Sequence, residues 1–146
     1  MEFRIIGDGK LFEETVGPIR NLSNVIIEQR FLKQTEIAAL HKEYGIFLCP
    51  TRWDSQGVSR DEAMGSGLVP ITNSVAAIPE FVDEGSAVIA DAESVKQIAA
   101  GISELYSDPF RFSEMSKSAA ARIRSRRCLE KIIKREVEEI DSRPRR

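Results

Sequence analysis

The chain has one histidine and two cysteines in 146 residues. So thin a supply of nitrogen and sulfur ligands argues against a zinc site, which needs several such residues at close spacing. Cys49 and Cys128 stand far apart, in a spacing that suits neither a metal site nor a redox pair. They read as two buried thiols kept reduced in a cytoplasmic protein. No apolar run reaches the roughly 18 residues of a membrane-spanning helix. The start, Met-Glu-Phe-Arg-Ile-Ile, has neither a basic region nor a long apolar stretch, so no signal peptide is expected. Internal repeats, low-complexity tracts and linkers are absent as well. Neither sign of charge predominates, the net value being −2.

What is present describes an ordinary globular chain: 42% apolar and 30% charged residues, enough for one domain with a core and too few for two. The domain is expected over residues 1–140, with a frayed basic tail over 141–146. Charge is unevenly placed. Residues 111–146 carry 12 Lys and Arg against 6 Asp and Glu, whereas the rest carries 9 against 17. Such a basic stretch suits either an anionic surface or a solvated helical face whose cations pair with glutamates at helical spacing. The second reading is the simpler one. No nucleic-acid partner is expected, and peripheral contact with the inner face of a membrane stays open.

Strand-like and helical patterns alternate. Residues 2–6 and 24–27 read as strands, and Leu11, Phe12, Thr15, Val16 and Ile19 mark a helix over 10–20 between them. A helix over 34–44, a strand over 45–49, a helix over 58–66 and a strand over 68–72 follow. A helical turn entered through Pro79, a strand over 87–90 and then helices complete the chain, one of them started by Asp108 and Pro109. This order predicts an α/β fold, a Rossmann-like parallel sheet with helices on both faces. Ligands of such sheets sit at the C-terminal ends of the strands.

The segment Pro50-Thr-Arg-Trp-Asp54-Ser-Gln-Gly57-Val-Ser-Arg-Asp-Glu62 occupies that place. A strand running into a loop and then a helix N-terminus leaves free amide N–H groups, which attract anions. Asp54 and Glu62 put a carboxylate on each side of it. That arrangement suits a ligand anionic in the middle and hydroxylated at both ends, as a nucleotide-sugar is. A simpler account of Glu62 is a capping box with Ser59, and Asp54 could be a turn residue alone. Gly7-Asp-Gly9 has Phe12 where a dinucleotide fingerprint needs its third glycine, so a tight turn explains it better. Trp53 either flanks the ligand or packs its loop, and His41 reads as a surface residue of a helix. A receiver domain would need an acidic pair after the first strand and a late lysine, and neither can be placed.

These residues resemble a known family. Tyr44-Gly-Ile-Phe-Leu-Cys-Pro-Thr51, Asp54, Gly57, Glu62-Ala-Met64, Gly67-Leu-Val-Pro-Ile71 and Ile78-Pro-Glu80 are similar to the C-terminal, donor-binding domain of group 1 retaining glycosyltransferases. The likeness is dense from 44 to 83 and extends to Ile5-Ile-Gly-Asp-Gly9 and Ser107-Asp-Pro109. It implies one half of a GT-B architecture and transfer of a sugar from a nucleoside-diphosphate sugar to a glycan or lipid-linked acceptor, with no metal or other cofactor. It also implies that Asp54 and Glu62 are the catalytic pair, Asp54 on the sugar hydroxyls and Glu62 on the ribose. Ser55, Gln56, Gly57 and Val58 would offer amides to sugar and phosphate, and Gln29, Arg30 and Phe31 would line the base pocket.

Some positions depart from the pattern. Asp54 stands where glutamate is usual, Gly45 where an acid often precedes the strand, and Ala76-Ala77 where paired glycines are common. The resemblance begins at the second strand, so the first strand and helix, with the Arg and Lys that clamp the diphosphate, are expected to be lacking. It implies an N-terminal acceptor domain as partner and allows a homodimer that fills the gap. A non-catalytic nucleotide-sugar binding module remains the alternative, and an interaction domain using the basic helices a further one.

Overall fold

The computed structural model describes residues 1–126 and 129–142. Cys128 and the last four residues of the basic tail lie outside them. The chain divides into two compact units, Met1–Leu40 and His41–Arg146.

The smaller unit runs β1 (Phe3–Gly7), α1 (Phe12–Val16), a 3-10 turn (Gly17–Ile19), β2 (Val25–Gln29) and α2 (Gln34–Leu40). Its two strands pair in parallel, Phe3 opposite Val25 and Gly7 opposite Gln29. Parallel neighbours cannot be joined by a tight turn, so α1 and the 3-10 turn carry the crossover. The helix expected over 10–20 is cut short at Val16. Pro18 has no N–H with which to continue the α-helical ladder, and the chain tightens into 3-10 geometry there. Phe12 and Val16, one helical turn apart, are this unit's buried apolar side chains. The helix expected to run on to 44 ends at Leu40, and turns over 41–43 follow it.

The larger unit holds β3 (Ile46–Cys49), α3 (Val58–Gly65), β4 (Val69–Asn73), α4 (Ile78–Phe81), β5 (Val88–Ala90), α5 (Val95–Ser107), α6 (Pro109–Arg126) and α7 (Leu129–Asp141). Its strands are parallel in the order β3-β4-β5. All five residues of the central strand are buried, as a parallel strand covered on both faces requires. The other edge of β3 has no strand partner among the described residues.

Two apolar clusters flank this sheet. In one, Met64 of α3 meets Ile78, Val82, Ala87 and Ala119. In the other, Val69 and Ile71 of β4 meet Leu105 of α5 and Met115 of α6. Helix α6 begins as its sequence predicts, with Pro109 in the first position and the Asp108 carboxylate accepting the Arg111 N–H at 2.9 Å. It reaches across the unit. Ser116 Oγ donates to the Gly67 carbonyl at 2.6 Å, and Arg122 donates to the Phe81 carbonyl and pairs with Asp83. The Ser86 hydroxyl and then Arg122 hold the Asp83 carboxyl below its usual range. Gly45 and Gly101 are among the residues with less room than a Cβ needs. One at Gly45 would lie 2.8 Å from the Phe112 ring, and one at Gly101 2.5 Å from Val88 Cγ1. Asp141 is still helical, within the stretch expected to fray.

Candidate functional site

The loop over 50–57 leaves the C-terminal end of β3 and turns into α3. Its start is fastened by Asn73, the last residue of β4, whose side chain is 2% exposed. Asn73 Oδ1 accepts the Thr51 N–H at 3.0 Å, and Asn73 Nδ2 donates to the Thr51 carbonyl. One amide thus satisfies both main-chain groups of Thr51 as the chain leaves the sheet. Thr51 Oγ1 in turn accepts from the Trp53 amide and donates to the Trp53 carbonyl, fixing the next turn. The Trp53 ring stands 81% exposed, so it does not pack the loop down.

Asp54 is half-buried, and its Oδ1 accepts the Gln56 N–H at 2.9 Å. This is the local turn that aspartate favours, and it holds the carboxylate against its own loop. Ser55 and Gln56 are exposed, Gly57 is buried, and Val58 opens outward. Gly57 takes φ 77°, a left-handed conformation that favours glycine.

Helix α3 starts directly after Gly57, with no side chain capping it. The capping box expected from Ser59 and Glu62 is therefore not formed. Ser59 is already the second helical residue, because Gly57 occupies the flanking position and turns the chain. The N–H groups of the first turn have no intrahelical acceptors, and the helix dipole adds partial positive charge at this end.

Arg60, Asp61, Ala63 and Met64 are buried on one face of α3. Glu62 lies on the opposite face with Val58 and is half-buried. Helical side chains lean toward the N-terminus, so Glu62 extends over the turn that begins at Val58. The structure therefore gives Glu62 an outward position beside an uncapped helix start, with Asp54 in the loop just before it.

The loops after β4 and β5 border the same edge of the sheet. Each contains a non-glycine residue with positive φ, Ala76 at 47° and Glu93 at 60°. Such backbone occurs where surrounding structure enforces it, often at functional sites. Glu93 also pairs with Arg52 Nε at 3.1 Å, linking the β3 and β5 loops. Both side chains are well exposed, so this link contributes little stability.

The three residues expected at the base lie in the smaller unit. Gln29 Nε2 donates to Asp8 Oδ1 at 3.0 Å, joining the end of β2 to the loop that follows β1. Arg30 is held by Glu28 at 2.8 Å and Glu36 at 2.7 Å, contacts that raise its pKa. Glu28 accepts from both Arg30 and Arg4, which lower its own pKa in that order. Phe31 is 78% exposed.

Two residues differ from their expected settings. His41 follows α2 and is half-buried, with Nδ1 3.1 Å from Ser66 Oγ and its ring edge-on to Phe47. Burial lowers its pKa, opposed by the charge of Glu62. Cys49 is only partly buried, and its thiol donates to Thr72 Oγ1 while burial pushes its pKa up. Among the described residues no group of three or more His, Cys, Asp or Glu is placed to hold a metal ion, and no helix is long and apolar enough to cross a membrane.

Sequence reasoning missed Asn73, Arg60 and Asp61. Arg60 shares the stripe of Ala63 and Met64, so its burial was readable from helical period. Asn73 had no local signal, since its role depends on a neighbouring strand.

The model of the glycosyl transferases group 1 family matches residues 1–108. The chain belongs to that family. No curated protein matches it in sequence. The chain is similar to the C-terminal domain of the group 1 family protein LpcC from Francisella tularensis. Identity is 22% and the TM-score 0.67, over 78% of this chain and 59% of that one. It is also similar to HepE of Anabaena, solved with UDP and glucose, at 15% identity and TM-score 0.82, over 97% of this chain and 41% of that one. A third is the pneumococcal O-GlcNAc transferase GtfA, in complex with UDP and GlcNAc, at 21% identity and TM-score 0.71, over 98% and 30%. The chain thus spans less than two thirds of each of these structures. At such identities the likeness is one of fold. That fold is the Rossmann-like half of a GT-B glycosyltransferase, with parallel sheets flanked by helices.

Proposed function

We propose that the chain is the donor-binding part of a retaining glycosyltransferase that moves a hexosyl unit from a nucleoside-diphosphate sugar to a glycan or lipid-linked acceptor. The observation that carries this is the uncapped start of α3, with Asp54 ahead of it and Glu62 on its outward face. The diphosphate sits at the amides of Gly57, Val58 and Ser59, where the helix end favours negative charge. Asp54 takes the sugar hydroxyls and Glu62 the ribose hydroxyls, while Ser55 and Gln56 supply further polar groups. As the diphosphate leaves, the same preorganised N–H groups stabilise its growing charge. No metal enters this proposal. In the smaller unit, Gln29, Arg30 and Phe31 are proposed as base contacts, Phe31 being the one with an open ring face. Family membership and neighbours solved with UDP and a sugar support the reading.

An acceptor-binding domain is the proposed partner, and the inner face of the cytoplasmic membrane the proposed setting for lipid-linked acceptors. A homodimer that completes the open edge of β3 remains part of the proposal. The alternative is a binding module without turnover.

Calorimetry with UDP-glucose, UDP-GlcNAc and GDP-mannose tests the site. Asp54→Ala and Glu62→Ala should each weaken binding of the preferred donor at least about tenfold, the effect of losing a charged hydrogen bond, with thermal unfolding little changed. Unchanged affinity in both folded variants would sink the site. Sugar transfer by the isolated chain would refute the proposed need for a partner domain.

A further inference from the structure

Arg60 is a cation where the packing of α3 calls for an apolar side chain. It is 0% exposed, on the same face as Ala63 and Met64. Burying a guanidinium costs several kcal/mol before its partners offset it, and a well-packed apolar side chain often serves stability as well. Stability alone therefore gives little reason for an arginine here.

Its contacts point in one direction. Nη2 donates to the Gln56 carbonyl at 2.5 Å, and Nη2 and Nε both donate to Asp61 Oδ1, at 2.9 Å and 3.3 Å. The guanidinium carbon lies 5.3 Å from the centre of the Phe81 ring. A Cβ at Gly57 would fall 2.6 Å from Nη1 and 2.7 Å from the guanidinium carbon, so the cation lies directly against the backbone of Gly57. Buried Nη1 has no acceptor among the described residues. Gln56, held by Arg60 through its carbonyl, is also the residue whose N–H binds Asp54 Oδ1. One residue thus joins the buried cation to the carboxylate.

We propose that Arg60 is the positioning residue of the donor site, which it supports from inside the molecule by fixing Gln56 and Gly57 and through Gln56 the Asp54 carboxylate. Asp61 orients the guanidinium and compensates its charge. Lysine cannot replace it, because an ammonium has neither the Nε–H that makes the second bond to Asp61 nor a planar group to fill the space between Gly57 and the Phe81 ring. The inference rests on the donor reading for its ligand, but the bracing of the loop can be measured without one.

The test uses the whole chain and three variants: Arg60→Lys, Arg60→Met, and the double variant Arg60→Met/Asp61→Leu. Arg60→Met alone leaves a carboxylate buried without its cation and can fail to fold. The double variant removes both charges and is expected to stay folded. Amide hydrogen exchange reports on the loop, and calorimetry with the three sugar nucleotides reports on binding. In the folded double variant the Gln56 amide should exchange at least about tenfold faster, with Ile71 in the central strand unchanged. Affinity for the preferred donor should fall by a similar factor, and Arg60→Lys should not restore it. Unchanged Gln56 exchange in the double variant, or faster exchange with full affinity, overturns the proposal. If the wild-type chain binds none of the three donors, the donor reading fails, and Gln56 exchange alone decides whether Arg60 braces the loop.

Discussion

At the scale of single residues, His41 should contribute to the chain's response to mild acid. Its pKa is lowered from the ordinary 6.5 by burial, so the unfolded chain takes up a proton that the folded one resists. Stability from this residue is complete above about pH 6.5 and is lost as pH falls toward the lower folded value. Unfolding midpoints should drop between pH 7 and pH 5.5, and His41→Gln should flatten that part of the curve. An unchanged slope in the variant would contradict the assignment. Glu28, Glu36 and Asp83 also have lowered pKa values, so their contribution fails only in stronger acid, below the ordinary carboxylate range. None of this was readable from the sequence, where His41 had no visible partner. Its contacts, Ser66 and Phe47, come from two later elements. Gly57, by contrast, was visible as a glycine between a strand and a helix, but the group that lies against it, the Arg60 guanidinium, was not.

At the scale of elements, the sequence showed which segments form strands and helices, because apolar period and turn residues are local. The ends were less visible. The break at Gly17-Pro18 was readable in hindsight from proline chemistry, whereas the stop of α2 at Leu40 has no proline or glycine to mark it. The capping-box reading failed for a related reason. Ser59 and Glu62 have the right spacing, but the chain turns at Gly57 and the helix begins one residue before Ser59. The join between α5 and β5 offers a sharp test. Gly101→Ala should gain up to about 1 kcal/mol in helix propensity and lose about 1–3 kcal/mol to overpacking against Val88. Net destabilisation in urea titrations is expected, and it should be relieved when Val88→Ala is added. A stabilised single variant would mean that the helix can move away from the strand without cost.

At the scale of the whole molecule, the two units differ in what holds them. Met1–Leu40 has a two-stranded sheet and two buried apolar side chains, while His41–Arg146 has three strands between two apolar clusters. Two-stranded sheets are marginal without further packing, so opening free energy should be lower in the first unit. Native-state hydrogen exchange should show β1 and β2 amides exchanging well ahead of those in β4. Equal protection in both sheets would show that the smaller unit draws its stability from more than its own core. The sequence could suggest α/β order but not this imbalance, which depends on which strands find neighbours.

The latch at Asn73 carries a consequence for where damage to this protein would be felt. Its carboxamide gives one hydrogen bond and receives another at the same time, a duality no ionised carboxylate has. Conversion to aspartate, by mutation or by slow loss of ammonia, would turn a repelling charge toward the Thr51 carbonyl and release the strand's grip on the loop. Loss of binding at the proposed donor site would then trace to a side chain hidden in the sheet.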